Sequence, residues 1–246
     1  PILISGYDRV YSSKVFNYTP EEPLLPGHTI KGGTGYGLFH TLPEEVNMMC
    51  PNYSLYDYHV RSRKKMYPAS YGFLTRGCPN ACGFCIVPRK EGPIRKYQSL
   101  GDFVRHRHVV LFDNNILALD WGVDQLAVMA AKELYVDINQ GLDARRIDGA
   151  IARRLSALKY IRFLRMACDH ADQMPVVAKA VDILKANGFR GEIFCYVMVR
   201  DVRDAEERVL LLLSKGVHPF AQPYRDFDNT PPTVEQEEFA RWCNVP

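Results

Sequence analysis

The sequence predicts an α/β protein built on a partial, open barrel of parallel strands. From about residue 69 onward, short apolar segments alternate with longer amphipathic ones, an order typical of strand–helix units. Several of the apolar segments are hydrophobic at consecutive positions, as strands buried on both faces are. Six such units follow one another, whereas a closed barrel of this type needs eight.

The elements of this barrel can be assigned in chain order. The predicted strands span residues 71–75, 108–112, 134–139, 160–166, 192–199 and 216–222. The predicted helices span residues 100–106, 123–132, 146–158, 176–187 and 205–215. Pro175 is suited to the start of a helix, and Asn187-Gly188 is suited to its end. These assignments predict a barrel domain over residues 69–225, followed by a C-terminal loop and helix over residues 226–246.

The first 68 residues have a different pattern and predict a small α/β extension with a linker. Short strands are expected at residues 2–4, 10–16 and 28–31, separated by proline-rich turns. The glycine-rich run at residues 32–37 does not match G-x-G-x-x-G, because position 38 is Leu. We therefore interpret this run as a tight turn that needs a positive φ rather than as a phosphate-binding loop.

Composition excludes several classes of protein. The chain has 246 residues, of which 47% are hydrophobic, and a formal charge of +3 that is too weak to indicate nucleic acid by itself. Its longest apolar run lies near residues 209–213, far shorter than the ~20 residues of a membrane-spanning helix. Seven cysteines are too few for a disulfide scaffold. No signal peptide is visible, so we expect a cytoplasmic protein without membrane association.

The residues that indicate chemistry are three cysteines in one loop. Cys78, Cys82 and Cys85 follow the first predicted strand with the spacing C-x3-C-x2-C, among Gly, Pro and Asn. A disulfide would leave one thiol over, and structural zinc would want a fourth nearby Cys or His. Thiolates also hold iron–sulfur clusters, ordinarily four for a [4Fe–4S] cluster. Three local ligands would leave one iron with an open position, so we predict a catalytic iron–sulfur site.

The same residues resemble a known signature. The pattern Cys78-x3-Cys82-x-Phe84-Cys85, placed after the first strand of a partial (β/α)6 barrel, is similar to that of the radical S-adenosylmethionine (radical SAM) superfamily. The resemblance covers residues 69–225. It implies a [4Fe–4S] cluster, with Phe84 packed over it, whose unique iron chelates the amino and carboxylate groups of S-adenosylmethionine (SAM).

The activity that this resemblance implies is a radical reaction. Reductive cleavage of SAM would give methionine and a 5′-deoxyadenosyl radical, which abstracts hydrogen from a substrate. The cluster and SAM would supply the difficult chemistry, and the protein would supply position and electrostatics. An oxygen-sensitive enzyme and an external electron donor of the flavodoxin or ferredoxin type are also implied.

Contacts to SAM are expected from polar residues that follow the strands, because active residues of parallel barrels project from the C-terminal strand ends. The candidates are Asp113, Asn115, Gln140, Asp143, Arg165 and Gln222. The Gly-Gly-Glu that is usual for the superfamily after the second strand is absent. We expect Arg165 to bind the SAM carboxylate, because Arg forms paired, charge-assisted contacts. The alternative is that Arg165 lies on the outer face of its strand and pairs with Asp169 or a helix carboxylate.

The N-terminal segment carries a second resemblance. Residues 7–16 and 29–36 resemble the last strands of the cobalamin-binding-like domain in one radical SAM branch, and residues 50–56 resemble its linker. The D-x-H-x-x-G motif that supplies the lower cobalamin ligand is absent. We therefore expect no cobalamin binding.

The sequence leaves the substrate open. Basic segments at residues 61–65 and 89–96 slightly favour a nucleic acid or a nucleotide over a peptide or a small metabolite. Two other functions are also open: a non-catalytic iron–sulfur or zinc-binding module, and a methyl- or methylthiotransferase acting on nucleic acid. The transferase would need cobalamin or a second cluster. Cys50, Cys168, Cys195 and Cys243 are too dispersed to predict one. We interpret them as small buried side chains, with the exception of Cys168, which lies at the predicted barrel mouth.

Overall fold

The structure is a computed structural model that describes residues 7–55, 59–62, 64–226 and 230–244. The chain forms two compact units. One consists of residues 1–49 with 226–230, and the other consists of residues 50–225 with 231–246. None of the helices within the described ranges is long and apolar enough to cross a membrane.

The smaller unit contains two short strands and one helical turn. Strand β1 (Tyr11–Ser13) pairs in parallel with β2 (Ile30–Gly32), and α1 spans Glu44–Asn47. Both strands are shorter than predicted. The strand predicted at residues 2–4 lies outside the described residues.

The glycine-rich run forms the turn that the sequence predicted. Gly33 has a φ of +91°, and a Cβ at this position would overlap the carbonyl oxygen of Lys14. The backbone N–H of Lys14 in turn donates to the carbonyl of Gly32 at 3.0 Å. Glycine is therefore required here both by its backbone conformation and by the close approach of β1.

The larger unit carries the repeated strands and helices. Its strands are β3 (His59–Ser62), β4 (Lys65–Gly72), β5 (Thr75–Arg76), β6 (Arg95–Lys96), β7 (His108–Leu111), β8 (Tyr135–Ile138), β9 (Lys159–Tyr160), β10 (Phe163–Ala167), β11 (Glu192–Val199) and β12 (His218–Pro223). Its helices are α2 (Val87–Lys90), α3 (Leu100–Phe103), α4 (Asp120–Ala131), α5 (Gly149–Ser156), α6 (Met174–Ala186), α7 (Val202–Ser214) and α8 (Val234–Cys243). Each predicted helix is present, although the one predicted at residues 100–106 is a single turn.

These strands form a mixed α/β structure around a curled, half-barrel sheet. Five strands lie in the order β3-β4-β7-β8-β9, with β3 antiparallel to β4 and all other neighbours parallel. Strands β10, β11 and β12 form a second parallel sheet. A parallel bridge between Leu142 and Met166 connects the segment after β8 to β10, so the two sheets are adjacent in the fold.

The strand predicted at residues 71–75 is wrong in its second half. Strand β4 ends at Gly72, and Thr75 belongs to β5, which turns away to pair antiparallel with β6. The reason is a buried carboxylate. The backbone N–H groups of Leu74 and Thr75 donate to the side chain of Asp113 instead of to a neighbouring strand.

The strand predicted at residues 160–166 divides into β9 and β10. The N–H of Ile161 donates to the carbonyl of Val136 at 2.9 Å, and the carbonyl of Ile161 accepts from the Ser62 hydroxyl at 2.8 Å. Residue 161 therefore closes the first sheet, and the second sheet begins at Phe163.

The hydrophobic core lies between the strands and the helices, and it explains the consecutive apolar positions. All four residues of β7 are buried, which confirms that this strand is covered on both faces. Along β10, Leu164 and Met166 belong to the core cluster, whereas Arg165 and Ala167 are half-buried on the opposite face. That opposite face is the concave side of the sheet, where the polar residues gather.

A buried arginine fixes the ends of β10 and β11. Arg208 on α7 is 1% exposed. Its guanidinium donates to the carbonyls of Cys168 at 2.6 Å and Met198 at 2.9 Å, and it pairs with Asp204 one helical turn earlier. Cys195 is fully buried in the core, as its interpretation as a small apolar side chain predicts, and Cys168 is buried there as well. Cys50 and Cys243 are half-buried.

Replacing Arg208 by Met should destabilise the larger unit by roughly 2–4 kcal/mol, because two buried carbonyls would lose their donor. Urea denaturation followed by circular dichroism measures this loss. Arg203→Met on the exposed side of α7 is the matched control and should change the free energy of unfolding by about 0.5 kcal/mol or less. Equal effects of the two substitutions would contradict the role assigned to Arg208.

Candidate active site

The cysteine loop lies between β5 and α2 and carries the three cysteines that the sequence analysis singles out. Cys78, Cys82 and Cys85 are half-buried and are not in disulfides. Burial raises the pKa of the Cys82 and Cys85 thiols, and the charges of the other loop cysteines raise both further. Within the described ranges, no three His, Cys, Asp or Glu side chains are arranged to hold a metal ion. The donor set of three free thiols on one loop nevertheless fits a thiolate-bound cluster.

The loop is fastened at its start by Glu91. The N–H of Gly77 donates to the Glu91 carboxylate at 2.9 Å, and so does the side-chain amide of Asn114. Arg76 pairs with the same carboxylate at 3.2 Å. Gly77 has a φ of +83°, and a Cβ there would overlap the carbonyl oxygen of Pro93. Glu91 was not predicted from the sequence, because it lies within a segment that stands out for its basic residues.

Asp143 connects the loop to the end of β8. Its carboxylate accepts from Asn80 within the loop at 3.0 Å, from Asn115 at 3.0 Å, and from Arg145 through two bonds of 2.7 and 3.0 Å. Burial alone would raise the pKa of Asp143, but these hydrogen bonds and the charge of Arg145 hold it below its usual value. Asp143 is therefore a fixed anion beside Cys82.

Asn115 bridges this carboxylate and the first cysteine. It is 2% exposed, and its Nδ2 lies 3.0 Å from Asp143 Oδ2 and 3.6 Å from Cys78 Sγ. Its Oδ1 is buried without a hydrogen-bond partner. Two residues predicted as SAM contacts, Asn115 and Asp143, are thus brought together behind the cysteine loop.

The Asp113 carboxylate accepts hydrogen bonds from the backbone and does not face the cavity. Its side chain is fully buried and accepts from the N–H groups of Leu74 and Thr75 and from the Thr75 hydroxyl, at distances of 2.5–3.2 Å. All of these donors belong to the segment that leads into the cysteine loop. Asp113 was predicted to contact SAM, but its oxygens are occupied by this segment.

A cavity of about 430 Å³ opens beside the loop at the C-terminal ends of four parallel strands. Its lining residues are Phe84, Asn139, Gln140, Ala167, Asp169, Tyr196, Met198, Gln222, Pro223, Tyr224 and Arg225. Of the predicted site residues, Phe84, Gln140 and Gln222 line it. Phe84 lies between the second and third cysteines and also packs against His170, with ring centroids 5.4 Å apart.

Arg165 lies on the same face of β10 as Ala167, but its guanidinium is occupied. It makes two bonds to Asp137 on β8, at 2.6 and 2.8 Å, and a third to the Tyr196 hydroxyl at 3.3 Å. Tyr196 donates in turn to the carbonyl of Asn139 at 2.9 Å. The alternative expectation, that Arg165 lies on the outer face and pairs with Asp169 or a helix carboxylate, is wrong. Its partner is Asp137, which lies on β8.

Among the described residues, Asp169 is the one carboxylate that lines the cavity. Burial raises its pKa, although the nearby Arg208 and the backbone N–H of Met198 act in the opposite direction. Its own backbone N–H is held by the side chain of Gln173 at 2.7 Å. Asp169 follows the fourth predicted strand but was not among the predicted SAM contacts, because strand order alone does not reveal which side chain faces the cavity.

Comparisons with known proteins add no family to this description: no family model matches the chain, and no curated protein matches it. The functional assignment therefore depends on the residues and geometry of the loop and the cavity.

Burial of Asp113 raises its pKa from 3.8 to about 6, so its effect on stability depends on pH. Between about pH 4 and pH 6 the unfolded chain loses this proton while the folded chain keeps it, and the free energy of unfolding falls by roughly 2–3 kcal/mol. Asp113→Asn cannot ionise and lacks this fall. We expect the substitution to be more damaging at pH 4 than at pH 7.5, as measured by urea denaturation.

The exposed substitution Asp172→Asn controls for the loss of a carboxylate. A cost of Asp113→Asn that is the same at both pH values, or larger at pH 7.5, would contradict the raised pKa.

Proposed function

We propose that this protein is a radical SAM enzyme in which Cys78, Cys82 and Cys85 hold a [4Fe–4S] cluster. The observation that carries the proposal is the position of Phe84, which belongs to the cysteine loop and also lines the cavity at the strand ends. A metal site on this loop would thus border a space that can hold a small molecule. A purely structural metal site has no need of such a cavity, which favours an enzyme over a non-catalytic module.

The fold supports the proposal through the order of its parallel strands. Strands β4, β7 and β8 are neighbours in one sheet, β10, β11 and β12 are neighbours in the next, and the Leu142–Met166 bridge joins them. We interpret these six strands, with their intervening helices, as the partial (β/α)6 barrel of the radical SAM type. The cavity then lies at the C-terminal ends of the strands, where enzymes built on parallel barrels have their active sites.

The chain's own residues would bind and orient the reactants. The side-chain amides of Asn139, Gln140 and Gln222 offer donors and acceptors for the polar groups of SAM. Phe84 and Tyr196 offer apolar surface that excludes water from the reacting atoms. When bound, the cluster would supply the electron that cleaves SAM. Fixed strand ends suit this task, because hydrogen abstraction requires a defined orientation of the 5′-carbon.

The remaining assignments extend the proposal. We assign the electron donor to the flavodoxin or ferredoxin type, and the location to the cytoplasm, where thiols stay reduced. The exposed basic residues Arg89, Arg95 and Lys96 follow the cysteine loop and favour a nucleotide or nucleic-acid substrate. A methylthiotransferase is disfavoured, because Cys168 and Cys195 lie in the core and offer no second cluster site.

Anaerobic reconstitution should load about four irons and four sulfides per chain, since a [4Fe–4S] cluster is expected. With dithionite and SAM, the loaded protein should release 5′-deoxyadenosine, detected by liquid chromatography. Cys78→Ala, Cys82→Ala or Cys85→Ala should abolish both the cluster and the product. Cys50→Ala should leave both intact. A triple alanine variant that keeps its brown absorbance would overturn the proposal.

The substitution Arg165→Lys tests whether the guanidinium binds Asp137 or the carboxylate of SAM. Because the structure pairs Arg165 with Asp137, we expect the substitution to lower the melting temperature, at a cost of about 1–2 kcal/mol from the lost paired contact. The dissociation constant for SAM should stay within about twofold. A SAM affinity weakened tenfold or more at an unchanged melting temperature would instead support the contact to the SAM carboxylate predicted from the sequence.

A further inference from the structure

The side-chain amide of Asn115 approaches the sulfur of Cys78. Its Nδ2 lies 3.6 Å from Cys78 Sγ and 3.0 Å from Asp143 Oδ2, and the residue is 2% exposed. Sulfur is a large, weak acceptor, and a donor–sulfur distance of this size is within the range of an N–H···S hydrogen bond. The two hydrogens of one amide group can therefore serve the carboxylate and the cysteine at the same time.

The orientation of this amide is fixed by its surroundings. If the side chain were flipped, Oδ1 would face the carboxylate of Asp143, and two acceptors would meet without a proton between them. Asp143 is itself held by Asn80 and by two bonds from Arg145. The unflipped amide leaves Oδ1 buried without a hydrogen-bond partner, which costs free energy. The orientation of the amide is therefore set by the hydrogen bonds that its N–H groups donate to Asp143 and Cys78, and not by a partner for Oδ1.

The N–H···S contact has a consequence for a bound cluster. A hydrogen bond to a ligating sulfur stabilises negative charge on the cluster, and the reduced cluster carries one more negative charge than the oxidised one. The donor therefore favours the reduced form. The nearby anion Asp143 would act in the opposite direction, but its hydrogen bonds from Arg145 and Asn115 offset its charge.

We propose that Asn115 is a positioning residue that donates an N–H to Cys78 and thereby raises the reduction potential of the cluster. The inference rests on the proposed function, because it needs a cluster on the three cysteines. It goes further because it assigns to Asn115 an effect on the transfer of an electron to the cluster instead of a contact to SAM.

The experiment is a redox titration of the anaerobically reconstituted full chain without SAM, followed by electron paramagnetic resonance of the reduced cluster. Asn115→Leu removes the donor at similar volume, and we expect the same iron content with a more negative midpoint potential. Asn187→Leu is the control, because its amide donates to the carbonyl of Ile183 at the end of α6 and not to the cysteine loop or its carboxylates. We expect the control to keep the wild-type potential.

A second measurement uses the unmodified chain, in case Asn115→Leu fails to load iron. Protein labelled with ¹⁵N-asparagine is compared with unlabelled protein, and the reduced cluster should show a magnetic coupling to an asparagine nitrogen. An unchanged potential in Asn115→Leu, or no asparagine coupling in the wild type, would overturn the inference alone. A wild-type chain that binds no iron would overturn the proposed function and the inference with it.

Discussion

The cysteine loop depends on three carboxylates that accept its hydrogen bonds from three directions. Asp113, after β7, holds the backbone that leads into the loop, and Glu91 receives the N–H of Gly77 at its start. Asp143, after β8, accepts from Asn80 within the loop. A loop rich in glycine, proline and asparagine has little regular structure of its own, so these contacts replace the missing ladder bonds. The position of the thiols is thus set by residues outside the cysteine loop.

Three anions beside three thiols would repel any negatively charged cluster, and the structure limits this repulsion. Asp143 is paired with Arg145, and Glu91 is paired with Arg76. Asp113 is fully buried, and its oxygens accept from the backbone N–H groups of Leu74 and Thr75. The carboxylates therefore fix the geometry of the loop as hydrogen-bond acceptors, and the paired arginines neutralise much of their charge.

The repeated units and the cysteine loop were predictable from sequence because they follow from local patterns. Consecutive apolar residues and helix punctuation located β7, β8, β11 and their helices, and the cysteine spacing singled out the loop on which the proposal rests. The breaks after Gly72 and at Ile161 were missed, since each depends on a hydrogen-bond partner distant in the chain. The same limit applies to the site: a strand-end position predicts proximity, but not whether a side chain faces the cavity.

The pairing of Arg165 changes how the cavity can select a ligand. Its guanidinium is hydrogen-bonded to Asp137 and Tyr196. The deeper part of the concave face therefore presents a neutral ion pair instead of an unpaired cation. Over the described ranges of the chain, the cavity is lined mainly by amides and aromatic rings, and Asp169 and Arg225 are its two side chains of opposite charge. Selection in such a space depends more on the placement of hydrogen bonds than on net charge. A ligand that cannot hydrogen-bond to these amides would leave them unpaired when it binds. The free-energy cost of unpaired amides would discriminate between molecules of similar size.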